Sequence, residues 1–295
     1  MNSQLLTRQY VASTDVKLAV YQWGTENSSA GTIVLVHGYP DSAEVWKKIA
    51  TLLAKDFHVV AYDVRGTGAS SKPKSKQQYQ FSELVQDLSA VIDFVSPDKP
   101  VHLVGHDWGA LQCWEGVLDD KLKHQVSSYV ALAPSLDHVG WWFQRKLQQK
   151  NLNGYLQFAQ RAIGSSYMGL MLLPILPELT WQMGLTHLWP KLVSKLERTT
   201  VVPDSSQHAN AVNGIQLYRL NLVELLKRPT TRKTSIPVNM LIMTKDPFVP
   251  EMLCQGLEEW VENIEYNQVE AGHWGILSKP DEVAGHIAQF VNQHI

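Results

Sequence analysis

Cysteine is almost absent from the chain: Cys113 and Cys254 are the only two among 295 residues. Two thiols cannot build a disulfide framework, and neither stands in a CxxC or similar metal-binding spacing, so both read as buried thiols of a reducing compartment. An excess of charge is missing too. The 26 Lys and Arg against 28 Asp and Glu leave a net charge of −2 with no long run of either sign, which argues against nucleic acid or an anionic membrane as partner. The opening residues show no basic patch followed by an apolar core and a small-residue cleavage site, so no signal peptide is expected. The most apolar stretch, MGLMLLPILPEL over residues 168–179, is broken by Pro174 and Pro177 and is too short to span a bilayer. No internal repeat or low-complexity tract is present. These absences lead to the expectation of a soluble, cytoplasmic protein without integral membrane association.

What the chain does have is material for a full core, with 44% hydrophobic residues. Short runs rich in Val, Ile and Leu recur as TIVLVHG (32–38), FHVVAYD (57–63), VHLVG (101–105), SYVALAP (128–134) and VNMLIM (238–243). Apolar runs without alternation suit strands covered on both faces, as in a parallel sheet. Between them lie helix-period segments, the clearest over residues 82–95, with Leu84, Leu88, Val91, Ile92 and Val95 on one face behind Ser82 as N-cap. The alternation predicts an α/β fold with a mostly parallel, doubly wound sheet. The rhythm then breaks, since about 100 residues separate the last two runs, and connections that long carry function. We expect a helical cap over residues 137–227, inserted after the sixth strand, on a core of residues 1–136 and 228–295.

The chemistry concentrates at a few loops. GHDWG (105–109) follows a predicted strand and precedes a predicted helix, the context of a G-x-nucleophile-x-G elbow, with Asp107 in the nucleophile position. LIMTKDPFVP places Asp246 just past the strand that resumes after the insertion, and VEAGHWGILSKP places His273 before the last helix. Nucleophile, acid and histidine in that order match a hydrolase triad, in which the acid orients the imidazole and the imidazole acts as base. Asp137, just beyond the preceding strand, is a rival to Asp246 and is otherwise a turn residue. The HGYP segment (37–40) ends a strand; in such a triad its loop and the residue after the nucleophile supply the oxyanion-hole N–H groups, here from Tyr39 and Trp108. Pro40 sets the direction of that loop, in either peptide isomer. Arg65 reads as structural, its fork holding loop carbonyls or a carboxylate. His37, His102 and His106 have no metal-cluster spacing, and no metal or cofactor is expected.

Taken together, HGYP, YDVRGTGAS, GHDWGA, TKDPFVP and AGHWG resemble the Asp-nucleophile branch of the α/β-hydrolase fold, the epoxide hydrolases and haloalkane dehalogenases, over essentially the whole chain. A serine at the elbow would attack an acyl carbon, whereas a carboxylate attacks saturated carbon and leaves an alkyl ester on its own side chain. Water activated by His273 must then cleave that ester. An epoxide oxygen leaves as a strongly basic alkoxide and needs a proton donor, a role that suits phenols. The resemblance implies Tyr218, in NGIQLYRLN, and Tyr167, in SSYMGLMLLP, with Tyr155 as the alternative second tyrosine. Met171 stands where the family commonly has an aromatic residue. His37, Pro40, Trp108, Met171 and Trp274 are expected to line the substrate, and Met168, Trp141 and Trp142 either line its channel or pack the cap. The expectation is an epoxide hydrolase taking a small lipophilic epoxide and water, with a homodimer left open. The alternatives are a haloalkane dehalogenase, in which Trp108 would bind halide although Tyr39 replaces the usual asparagine, and a non-catalytic ligand-binding relative.

Overall fold

The five apolar runs form the middle of one eight-stranded sheet in the computed structural model, which describes residues 5–25, 30–223 and 229–295. The strands are β1 (Leu5–Ser13), β2 (Val16–Trp23), β3 (Thr32–Val36), β4 (His58–Tyr62), β5 (Val101–Gly105), β6 (Val126–Ala131), β7 (Val238–Met243) and β8 (Ile264–Val269). Their order is β1-β2-β4-β3-β5-β6-β7-β8, parallel except where β1 pairs with β2 and β2 with β4. Every residue of β3, β4, β5 and β7 is buried, as lack of alternation demands of strands covered on both faces. The sequence reading missed three strands. β1 and β2 form an edge hairpin, and β8 is an edge strand with mostly exposed or half-buried residues, so neither pattern gives a continuous apolar run.

Two apolar layers sandwich the sheet. One joins it to α1 (Lys47–Leu53) and the C-terminal helix Pro280–Asn292 through Ile49, Leu53, Ile287 and Phe290. The other joins it to α2 (Phe81–Val95) and α3 (Trp108–Val117) through Leu84, Leu88, Trp114 and Val117. Cys113 and Cys254 are buried, unpaired thiols whose pKa burial drives up. Arg65 does both things proposed for it, gripping Asp87 with Nε and Nη2 at 2.6 and 2.7 Å and donating to the carbonyls of Gln78 and Glu83. Ser82 does not cap α2. The helix begins at Phe81, whose N–H is held instead by Asn221 Oδ1 at 2.9 Å, from 140 residues away.

Between β6 and β7 the chain forms α4 (Leu136–Gln148), α5 (Leu152–Gly164), α6 (Ser166–Leu172), α7 (Leu176–Thr180), α8 (Thr186–Glu197) and α9 (Gln207–Leu217). Ser135 and Asn151 cap α4 and α5 through His138 N–H and Gly154 N–H. A π turn over Tyr218–Leu222 follows α9, and the boundary expected at 227/228 lies outside the described residues. This insertion is tied to the loops at the ends of the strands. Trp181 Nε1 donates to the Tyr39 hydroxyl, Gln207 Nε2 to the Pro40 carbonyl, and Asn213 Nδ2 to the Gly66 carbonyl, all at 2.8 Å. Among the described residues no helix is long and apolar enough to cross a membrane.

Candidate active site

The turn from β5 to α3 sets Asp107 in a conformation side chains rarely adopt, at φ 53° and ψ −125°. Such strain persists only when the surroundings enforce it. Here a Cβ on Gly109 would lie 2.2 Å from the Val36 carbonyl oxygen, so only glycine lets α3 pack this close to β3. Gly38 is equally constrained, because its Cβ would meet Asp107 Oδ1 at 2.4 Å. That closeness lets the Tyr39 N–H donate to Asp107 Oδ1 at 2.7 Å. The Trp108 N–H opens α3, where N–H groups lack an intrahelical acceptor and the helix dipole favours negative charge. The Tyr39–Pro40 peptide is cis.

His273 lies between two carboxylates, with Nδ1 2.7 Å from Asp246 Oδ2 and Nε2 3.5 Å from Asp107 Oδ2. Asp246 Oδ1 accepts the N–H groups of Phe248 and Val249 at 2.7 and 3.0 Å, which fixes the carboxylate on the imidazole. Burial disfavours the imidazolium, yet Asp246 and Asp107 outweigh it and hold the His273 pKa well above the ordinary value. Asp107 is the converse case: burial raises its pKa, but the hydrogen bond and charge of His273 win and hold it below the usual range. Asp137 is far from this pair in function, since its oxygens accept Thr230 N–H, Thr230 Oγ1–H and Arg232 Nη2.

A cavity of about 70 Å³ opens above Asp107, lined also by Trp108, Leu111, Tyr167, Met168, Tyr218 and Phe248 among others. Tyr218 sits edge-on to both Trp108 and Tyr39, with ring centroids 4.7 and 5.2 Å away. Tyr167 packs edge-on to Phe248 at 5.3 Å. Burial pushes both phenols above their ordinary pKa and the Asp107 charge adds to it, so each keeps its proton.

An α/β-hydrolase fold model matches residues 31–280 of the chain. The chain belongs to the α/β-hydrolase fold family. A Mycobacterium bovis protein called probable oxidoreductase EphD is 27% identical over 298 residues, covering 98% of this chain and 50% of its own. The chain thus spans about half the length of the first curated relatives it matches. Epoxide hydrolase srdG of Neurospora crassa is 25% identical, covering 90% of this chain and 87% of its own. Among solved structures, a mutant Bacillus megaterium epoxide hydrolase with its naphthyloxy-propanediol product superposes with a TM-score of 0.77 at 25% identity. That alignment covers 96% of this α/β-hydrolase and 100% of the other chain.

Not every side chain expected at the substrate faces the cavity of this α/β-hydrolase. Trp108 does. His37 does not, because its buried ring donates through Nδ1 to the Gly38 carbonyl and accepts the Val64 N–H at 3.0 Å. Pro40 turns its carbonyl to Gln207, and Met171 sets its sulfur 4.0 Å from the Tyr39 hydroxyl. Trp274 stacks edge-on to His273 at 4.7 Å and points its indole N–H to Asp41 Oδ2, away from the cavity. Tyr155 is 47% exposed on α5 and is no second phenol for this cavity. Trp141 donates to the Thr230 carbonyl and stacks on Trp260, and neither it nor Trp142 lines the cavity.

Three supporting residues escaped the sequence reading. His106 Nε2 donates to the His273 carbonyl at 2.8 Å, and burial lowers its pKa to about 4, so the ring stays neutral beside the imidazolium. Glu197, from α8, accepts the Trp274 N–H at 2.9 Å and ties the insertion to the histidine loop. Asp41, receiving the Trp274 indole, has its pKa pushed up to about 7 by burial against that hydrogen bond. Their partners lie 167, 77 and 233 residues away, so no local pattern announces them.

Proposed function

We propose that this α/β-hydrolase is an epoxide hydrolase that turns a lipophilic epoxide into a vicinal diol through an ester on Asp107, with residues 137–227 as its cap. The observation that carries this reading is a carboxylate at the elbow sharing one cavity with two protonated phenols, Tyr167 and Tyr218. Names of relatives and the diol-bound structural neighbour support it. With Oδ1 occupied by the Tyr39 N–H, Oδ2 is the attacking oxygen. It bonds to an epoxide carbon, the ring C–O bond breaks, and the freed oxygen takes a phenol proton. His273 then removes a proton from water, whose oxygen adds to Asp107 Cγ while the Tyr39 and Trp108 N–H groups hold the developing oxyanion. Collapse breaks the bond from Cγ to the product oxygen. One of the water's protons goes to that oxygen and the other stays on His273, which returns to its resting imidazolium.

The charges suit this sequence. Ester formation erases the Asp107 charge, one of the two that hold the imidazole protonated, so the His273 pKa falls and the ring passes its proton to the phenoxide, which leaves a neutral imidazole able to take one from water. The dehalogenase reading needs a second halide donor beside the Trp108 indole, and Tyr39 stands where the usual asparagine would. Replacing His273 with Gln blocks the second half-reaction only. Intact and peptide mass spectrometry of His273→Gln after exposure to aryl, terpenoid and fatty epoxides is expected to find a stable adduct on Asp107. Adducts with haloalkanes and none with any epoxide would reverse the ranking.

A further inference from the structure

The outer helices of the insertion are inside out. Fifteen of the twenty-one large hydrophobic side chains exposed among the described residues fall within residues 147–202. On α5 the exposed Leu152, Leu156 and Ile163 recur at intervals of four and seven, which is one helical stripe, and on α8 Leu188, Leu192 and Leu196 form another at intervals of four. A surface helix ordinarily turns such a stripe inward. Here the stripes face out, with Ile163 at 73% and Met183, between them in sequence, at 85% exposure. Apolar surface on this scale marks an interface.

Charge identifies its partner. Residues 147–202 hold five basic side chains and two acidic ones; Arg161 is buried, and Lys150, Lys191, Lys195 and Arg198 are exposed. Neither acid offsets them: Glu178 is half-buried and paired with Arg219, and Glu197 is buried against the Trp274 N–H and the Ser278 hydroxyl. Lys191 and Lys195 are exposed, interleave with Leu192 and Leu196, and have no ion pair among the described residues. The net charge of −2 over the whole chain conceals this local excess of cations. A second copy docking by this face about a twofold axis would set its own lysines against these. A layer of acidic headgroups over hydrocarbon satisfies both the leucines and the lysines.

We propose that the outward face of α5 to α8 docks on an anionic phospholipid surface. The docking is independent of the chemistry at Asp107; what rests on the epoxide reading is its purpose. Helix α6 presents Leu170 outward while Tyr167 and Met168 line the cavity, so a docked cap sets the catalytic chamber one helix from the acyl chains that dissolve a lipophilic substrate.

Flotation of the full chain with vesicles of phosphatidylcholine alone, and of phosphatidylcholine mixed with phosphatidylglycerol, tests this without any substrate. Binding is expected to the mixed vesicles only and to fall as salt rises. The Lys191→Gln/Lys195→Gln pair is expected to weaken it roughly thirtyfold, at about fivefold for each lost cation. Leu156→Ser/Ile163→Ser, also at exposed positions, is expected to weaken it at every salt concentration. Equal behaviour on both vesicle types, or binding that neither variant changes, would overturn the proposal. So would a dimer in sedimentation that these substitutions dissociate.

Discussion

Asp107 and His273 each owe their protonation state to the other. Burial works against the charge on both, and the pair prevails because two carboxylates flank one imidazole. The sign of the linkage follows. A histidine whose folded pKa is raised lends stability that is complete below its unfolded value near 6.5 and is lost as pH climbs through the higher folded value. Replacing Asp107 with Asn removes one flanking charge, so the His273 imidazole is expected to titrate at lower pH than in the parent. Nitrogen NMR of the ring reads this directly, and an unmoved titration would uncouple the two groups. Tyr218→Phe is expected to slow ester formation about a hundredfold and to leave ester hydrolysis nearly unchanged, as removal of a proton donor used in one half-reaction demands. Equal slowing of both phases in stopped-flow traces would make Tyr218 a packing residue. Asp107, Asp246 and His273 were legible because each follows a strand in a set order. Asp41, His106 and Glu197 were not, since each acts on a group fixed only by folding.

At the scale of elements, the sheet and the insertion depend on bonds that cross between them. Asn221 accepts the Phe81 N–H with Oδ1 and donates with Nδ2 to the carbonyls of Tyr79 and Leu217, so one side chain caps α2 and closes the π turn next to Tyr218. Asn221→Ala leaves a buried helix N–H unsatisfied, for an expected loss of about 2 kcal/mol in urea unfolding. A loss within the error of the parent would show that water replaces the cap. The same bond explains why Ser82 looked like the cap in sequence: a serine before a helical stripe is the local signal, and the actual cap comes from another element. Buried strands announced themselves by unbroken apolar runs. The edge strands β1 and β8 did not, because one edge of each meets water, and neither did β2, an inner strand whose apolar residues are interrupted by Lys17 and Gln22.

For the molecule as a whole, the gap between β6 and β7 revealed the insertion, but which of its residues face the cavity depends on how short helices broken at Pro174 and Pro177 pack, and that is a tertiary property. Tyr167 and Tyr218 approach Asp107 from separate helices, while Tyr155, equally aromatic and equally helical, turns to solvent. Sequence pattern cannot separate these cases, since a tyrosine on an amphipathic helix packs either way. The intact chain also offers the most direct test of the covalent ester. A single turnover with excess protein in water enriched in heavy oxygen, followed by mass analysis of the diol and of the peptide holding Asp107, follows the oxygen atoms. The expected result is label in the Asp107 carboxylate and an unlabelled diol. Label in the diol with none in the protein would mean that water attacks the epoxide directly, and would contradict the ester.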